Sequence, residues 1–370
     1  MNTSQLGRLT KIKTGKLDAN AGSDDGAYPF FTCSKDTYKI NSYTYDCKCV
    51  LVAGNGDLNV KYYEGKFDAY QRTYIIESLD ETILDTKYLY WFLFKYVEKL
   101  RQLSIGGVIK YIKLNNLTDP EIPLLSITEQ RNIVNILDKA EALRQKRKQT
   151  TGLLDEYIKS VFIEMFGDPI SNSKSWEKSE LKSFGEIITG NTPSRNEKDN
   201  YSSRFIEWIK TDNIVEENLY ITNASEYLSE NGLNKARFVT SGAVLMACIA
   251  GSIASIGRVA IADRKVSFNQ QINAIQPNKK INSLFLYWLL RNSRTYIQDH
   301  ATRGMKRILT KGEFEKIKMI IPPIELQDDF AMIAKDTEVL KQKMLEQSRE
   351  LDNQFQSLMQ NTFKKNNYEN

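Results

Sequence analysis

Two stretches of this chain share one hydrophobic period, and whatever fold it adopts must bury both. In the first stretch the apolar-type positions are Ile133, Ile136, Ala140, Leu143, Arg147, Thr150, Leu154, Ile158, Val161 and Met165. Adding 197 to each gives Phe330, Ile333, Thr337, Leu340, Met344, Gln347, Leu351, Phe355, Leu358 and Thr362. Both sets step by threes and fours in the same order, the seam of a long helix with one four-residue stutter. Each helix spans about 40 residues, roughly 60 Å of length. A lone helix of this kind would expose its seam, so pairing of the two copies is the expected solution. The first carries the chain from one module to the next and the second returns it, which predicts an antiparallel pair. The polar seam positions Arg147, Thr150 and Gln347 lie mid-helix, where they are candidates for setting register.

The 197-residue offset extends upstream. Leu89-Tyr90-Trp91 falls on Leu286-Tyr287-Trp288, Gly107 on Gly304, and Ile127-Thr128-Glu129-Gln130 on Ile324-Glu325-Leu326-Gln327. Thr14-Gly15 matches Thr189-Gly190 at an offset of 175, so the second copy carries 22 extra residues between these landmarks. The pattern divides the chain into a module at 1–121, a long helix at 122–166, a second module at 167–320 and a second long helix at 321–370.

Within the modules, Phe30-Phe31-Thr32, Cys49-Val50-Leu51-Val52 and Tyr74-Ile75-Ile76 read as strands separated by Gly/Asn/Asp clusters. Phe205 to Ile209, Ala243 to Met246 and Gln271 to Ile275 repeat them. Helices are expected from Tyr88 to Leu103, with Leu89, Phe92, Leu93, Tyr96 and Leu100 on one face, and from Ser283 to Ile297. Pro123 and Pro322-Pro323 precede the long helices, Ser126 and Glu129 fit a capping box, and Gly167-Asp168-Pro169 stops the first long helix.

Composition removes several classes. There is one histidine, His300, so no imidazole triad and no HExxH metal site. No GxxxxGK[ST] loop is present, and Ile321-Pro322-Pro323-Ile324 lacks the polar residue of an adenine methyltransferase motif. Cys33, Cys47, Cys49 and Cys248 form neither a zinc pattern nor a disulfide frame. The most apolar run, Ala243 to Ala254, is too short to cross a bilayer, and Met1 to Gln5 lacks a signal-peptide layout. The expectation is a cytoplasmic protein without membrane contact. Asp57 with Glu64-Gly65-Lys66 faintly matches a metal-dependent nuclease pattern, but Glu180-Leu181-Lys182 matches it locally as well.

Binding to a polyanion remains. The net charge is +5, and residues 167–320 carry 22 Lys and Arg against 16 Asp and Glu. In that segment Arg291, Arg294, Arg303, Lys306, Arg307 and Lys311 accompany a single acid, Asp299. Such a strip suits nucleic acid. Arg and Lys pair with guanine edges, and Asn and Gln with adenine. Candidate contacts in the first module are Lys16, Asn20, Asn55, Gln71, Arg72 and Lys110. In the second they are Thr192, Ser194, Arg195, Lys210, Asn269, Gln270, Arg303, Lys306 and Arg307. Their Asn-Gly and Asp-Gly neighbours are equally at home in ordinary turns.

The ordered set of landmarks, present twice over nearly the whole chain, resembles the specificity subunits of type I restriction–modification systems. It includes Thr189-Gly190-Asn191-Thr192-Pro193-Ser194-Arg195, Trp208-Ile209-Lys210-Thr211-Asp212, Gly242 to Val259 and Asn269-Gln270-Gln271. In the first module Thr14 to Asn20 and Tyr28 to Thr32 match, as do the Ile-Pro junctions before Glu129-Gln130 and Leu326-Gln327. The resemblance implies a mixed α/β (α+β) fold: two β-rich DNA target-recognition domains separated by a pair of long antiparallel coiled-coil helices, in a pseudo-twofold internal repeat. It implies that each domain reads half of a bipartite, asymmetric duplex DNA site. The helices would space the domains and dock two methyltransferase (modification) subunits, with restriction/translocase subunits joining. The chain itself would be non-catalytic and without cofactor; S-adenosylmethionine, ATP and magnesium would belong to the partners. One departure is the absence of a Trp-x-x-x-x-Leu lead at the N-terminus, supplied in the second module by Trp176 to Leu181. A shortened first strand is expected there. The alternatives are a metal-dependent nuclease fragment using Asp57, Glu64 and Lys66, and a coiled-coil adaptor.

Overall fold

A computed structural model describes residues 2–250, 252–302 and 307–363. Contacts divide the chain into two compact units: residues up to Lys148 with those from Gln347 onward, and Gln149–Glu346. The long helices, Ile127–Phe166 and Ile324–Thr362, contribute to both.

In the first unit a six-stranded sheet runs in the order Thr10–Thr14, Thr73–Ser78, Tyr45–Ala53, Val60–Ala69, Tyr28–Phe31, Tyr38–Ile40. The apolar run from Cys49 to Ala53 is buried throughout, as befits a central strand covered on both faces. Val60–Ala69 is antiparallel to Tyr45–Ala53 and parallel to Tyr28–Phe31, so it joins two parts of the sheet. The helix Thr86–Leu103 starts at Asp85, whose carboxylate accepts the N–H groups of Lys87 and Tyr88. It buries Leu89, Phe92, Leu93 and Leu100 as the period predicts, together with Trp91, whose indole N–H donates to Asp138 of the first long helix (3.0 Å). Phe355 of the second long helix packs on Trp91, and Phe363, just past its end, on Tyr88 and Phe92.

The second unit repeats these pairings with two strands interrupted: Phe238–Val239 and Val244–Ala247 pair with Val266–Phe268 and Val259–Ile261 as the single strand Tyr45–Ala53 pairs with Val60–Ala69. Trp208 pairs in parallel with Ser267 as Phe30 does with Asp68. The stretch corresponding to the long strand Val60–Ala69 is interrupted here, giving Val259–Ile261 and Val266–Phe268 on either side of Asp263-Arg264. Two four-stranded sheets result: Gly185–Thr189, Ile272–Pro277, Val244–Ala247, Val259–Ile261, and Tyr227–Leu228, Ile206–Ile209, Val266–Phe268, Phe238–Val239. Arg264 lies in this break, and its guanidinium pairs with Glu207 and Asp263. The helix expected from Ser283 to Ile297 stops at Asn292 and restarts as Arg294–Asp299. Beneath it Phe162, Phe166, Phe285 and Phe330 form a fully buried cluster with ring centroids 4.9–5.9 Å apart.

The long helices run antiparallel. In the second unit Lys341 meets Asp155 while Phe330 meets Phe162, numbers falling on one helix as they rise on the other. In the first unit Arg144 reaches Asp352 (2.6 Å). Both of these ion pairs use residues that the expected seam does not include. The expected seam is buried in part. Leu143 and its counterpart Leu340 are 47% and 48% exposed, and Ile136 is 52% exposed. Ile158 of the seam is buried, as are Phe330, Met344 and Phe355 of the second copy, and Val134, Leu137, Phe162 and Phe166 join the buried arc beside them. Each half of the helix packs on its own module as well as on the other long helix, so the buried face is wider than a two-helix seam.

The capping box forms: Ser126 and Glu129 exchange backbone and side-chain hydrogen bonds. Gly167 adopts φ +74° directly after the first long helix. The expected shortening of the first strand is absent. Thr3–Gln5 pairs with Glu121–Pro123, and Lys178–Glu180 with Lys318–Ile320, three residues each. What the first module lacks is only the Trp176 anchor, whose indole donates to Phe166 O (2.8 Å).

Candidate nucleic-acid interface

Side-by-side loop segments, joined by backbone hydrogen bonds, collect most of the candidate residues in each module. In the first, Gly15 N–H donates to Thr73 O (3.0 Å), Lys16 N–H to Ala69 O (3.2 Å) and Gln71 N–H to Leu17 O (2.8 Å). Gly54 N–H donates to Arg72 O (2.8 Å), Gly56 N–H to Lys110 O (2.9 Å) and Ile112 N–H to Gly54 O (2.9 Å). Lys16, Asn55, Gln71, Arg72 and Lys110, up to 94 positions apart in sequence, therefore share one row. All but the half-buried Asn55 are exposed. Asn20 is exposed just beyond Asp18, whose carboxylate accepts from Gln71 Nε2 (3.1 Å).

The second module builds the same row. Gly190 N–H donates to Ile272 O (3.0 Å), Asn191 N–H to Phe268 O (3.1 Å), Cys248 N–H to Gln271 O (2.8 Å) and Leu309 N–H to Cys248 O (2.8 Å). Ala250 pairs with Arg307. The Thr-Gly landmark has a steric cause in both copies. A Cβ at Gly15 would lie 2.2 Å from Ala69 O, and one at Gly190 2.2 Å from Asn269 O.

The rows carry different side chains. In the second, Arg195 lies over the rings of Tyr201 and Trp208 (4.4 and 5.0 Å) and pairs with Glu226, which also accepts from Lys210. The Lys210 ammonium, and then Arg195, hold the Glu226 carboxyl below the usual carboxylate range. Thr192 Oγ donates to Gln270 Oε1, and Ser194 is exposed. Asn269 departs from expectation: it is buried, and its amide is spent on the turn, bonding to Gln271 N–H (3.1 Å) and Gln271 Oε1 (3.0 Å). Its neighbour Gln270 faces solvent instead. Arg303 and Lys306, with the Gly304 landmark, lie outside the described residues. Glu226 gave no signal in sequence, since an acid in a basic segment looks like a solvated charge.

Two residues of the basic strip are engaged within the module. Arg291 bonds to Tyr287 Oη (2.9 Å) and lies over Trp288, while Arg294 holds Glu216 and the carbonyls of Ala254 and Ile256. The nuclease trio is also engaged elsewhere, Lys66 lying over the Tyr43 ring (4.7 Å). Asp57 pairs with Lys35 (2.8 Å) and Arg101 (3.4 Å), and Glu64 accepts from Tyr62 Oη (2.9 Å). Among the described residues there is no group of three or more His, Cys, Asp or Glu able to hold a metal ion. No described helix is long and apolar enough to cross a membrane.

The architecture is a duplicated α/β module with a matched loop row in each copy, each copy packed on long antiparallel helices. The model of the type I restriction modification DNA specificity domain matches residues 1–151 and 173–347, and the chain belongs to that family. It is 37% identical over 198 residues to the type I restriction enzyme EcoDI specificity subunit of Escherichia coli, a stretch covering 49% of this chain and 44% of that relative. It thus spans less than half the length of that relative. In fold it resembles the S subunit of a type I restriction–modification system from M. genitalium (TM-score 0.66, 15% identity, 98% of this chain and 96% of that one). A chain from a structure concerned with complex assembly and conformational transition of the type I R-M system is also similar (TM-score 0.58, 14% identity, 98% and 97%).

Proposed function

We propose that this chain is the DNA sequence-specificity subunit of a type I restriction–modification complex. Each module reads one half of a bipartite, asymmetric duplex site, and the helix pair docks two methyltransferase subunits, with restriction/translocase subunits joining them. The observation that carries this reading is the loop row: one backbone framework, built twice, bearing different side chains. Identical frameworks present donors and acceptors in the same way, while Lys16, Asn55, Gln71, Arg72 and Lys110 in one copy and Thr192, Arg195, Lys210, Gln270 and Arg307 in the other give each a different base preference. Arg303 and Lys306 belong to the same proposed contact set.

On this reading the chain positions and selects; it does not catalyse. Adenine methylation with S-adenosylmethionine, and ATP- and magnesium-dependent steps, are the work of partner subunits in the cytoplasm. Mapping N6-methyladenine across the genome of cells carrying the methyltransferase partner, with and without this chain, tests it. The expected result is one bipartite methylated sequence present only with the chain. An unchanged methylome, or plasmid cleavage by the chain and magnesium alone, contradicts it.

A further inference from the structure

We infer that Val108 and Ile109 form an apolar wedge that enters the stack of base pairs within the half-site read by the first module. The inference rests on the recognition reading above and adds a deformation step to it. The segment from Ile105 to Tyr111 is a closed loop: Ile105 N–H donates to Tyr111 O (3.0 Å) and Tyr111 N–H to Ile105 O (2.8 Å). Two further bonds, Gly56 N–H to Lys110 O and Ile112 N–H to Gly54 O (both 2.9 Å), brace it against the segment that carries Asn55. Gly106 adopts φ +116°, and a Cβ there would lie 2.7 Å from Ile109 O, so the turn is tight and requires glycine.

The apex carries two β-branched side chains that lie outside the buried core. Val108 is 104% exposed and Ile109 64%, although this unit buries Val50, Val52, Ile75 and Ile76 almost completely. Isolated surface aliphatics are ordinary. Two in succession on a rigid, glycine-turned tip, flanked by Lys110 and set in a row with Arg72 and Lys16, are not explained by the core. β-Branched side chains have few rotamers, which suits a rigid probe. The flanking cations fix the occupant as a polyanion, and among polyanions duplex DNA offers an apolar space between stacked bases. Proteins that insert apolar residues at base steps unstack and kink the duplex there. A half-site read this way selects for a deformable step that no side chain of the chain hydrogen-bonds.

The test uses the full chain with its methyltransferase subunits and duplexes bearing the mapped methylation sequence, with 2-aminopurine placed at each position in turn. The wild-type complex should raise fluorescence several-fold at one step of one half-site. Val108→Ser with Ile109→Ser should abolish that rise and weaken binding about tenfold, whereas Val108→Leu with Ile109→Leu should retain both. Equal fluorescence in the serine variant, or specific binding by wild type with no rise at any step, overturns the wedge and leaves the recognition reading standing. Failure of the serine variant to co-elute with the methyltransferase subunits without DNA would assign the tip to a protein contact and also overturn it. Absence of any sequence-specific binding by wild type would overturn the recognition reading itself.

Discussion

Gln130 and Gln327, 197 positions apart, make the same three hydrogen bonds. Gln130 Oε1 accepts Asp85 N–H (2.9 Å), and its amide donates to Ile83 O (2.8 Å) and Leu125 O (2.9 Å). Gln327 Oε1 accepts Asn282 N–H (2.9 Å), and its amide donates to Lys280 O (3.1 Å) and Pro322 O (2.8 Å). Every partner is itself displaced by 197, and both glutamines are fully buried. Each ties the start of a long helix to the residue that caps its module's helix, Asp85 or Asn282. The joint between module and spacer is therefore the same part used twice.

Gln130→Ala and Gln327→Ala should each destabilise by about 2–4 kcal/mol, since each leaves one buried N–H and two carbonyls without partners. Urea unfolding measures this. Similar losses in both variants are expected, and a loss under about 0.5 kcal/mol in either contradicts the role of the joint.

Lys341 is buried beside Asp155, with its ammonium 2.8 and 2.9 Å from the two carboxylate oxygens and 3.1 Å from Glu217 O. Asp155 is about one-third exposed, which moderates the penalty of stranding it. Lys341→Met should cost about 1–3 kcal/mol, less than for a fully buried pair. Adding Asp155→Leu should recover most of the loss. A double-mutant cycle with no coupling would show that the pair does not fix the helix register.

The Arg264 guanidinium beside Glu207 holds its carboxyl below the ordinary value near 4.5. Because the native value is depressed, the interaction stabilises the fold above the unfolded carboxylate range, about 4.3. That contribution is lost as pH falls through the lower native value. Thermal unfolding of wild type should therefore fall more steeply between roughly pH 5 and 3 than that of Glu207→Gln. Parallel curves contradict the assignment.

Glu226 neutralises Arg195 and Lys210 in the second row. Glu226→Gln should raise affinity for all duplexes alike, while Arg195→Ala lowers it and reduces the salt slope by about one. Asn55→Ala in the first row should instead relax one base position, at about 1–3 kcal/mol. Binding isotherms at several salt concentrations separate the two behaviours. An Arg195→Ala complex with unchanged salt slope would remove that residue from the interface.

Periodicity made the helices, their antiparallel course and the duplication legible, because every turn of a long helix reports the same face. It did not single out which seam positions are covered: Leu143 and Leu340 are exposed, whereas Ile158, Phe330, Met344 and Phe355 of the same pattern are buried. The Gln130–Gln327 correspondence was visible as a match of letters, but its reason lies in carbonyls 5 to 47 positions away. Loop candidates such as Arg72 and Lys110 were legible singly from chemistry, whereas their assembly into a row depends on non-local pairing. Glu226, the burial of Asn269 and the interruption between Ile261 and Val266 depend on that same pairing and left no local trace.

The central claim is that each module reads its own half of the site. Replacing residues 167–320 with the corresponding segment of another specificity subunit, and mapping N6-methyladenine in cells with the methyltransferase partner, tests it most directly. The account predicts that one half of the methylated sequence changes while the other half persists. A methylated sequence left unchanged, or altered in both halves at once, contradicts it.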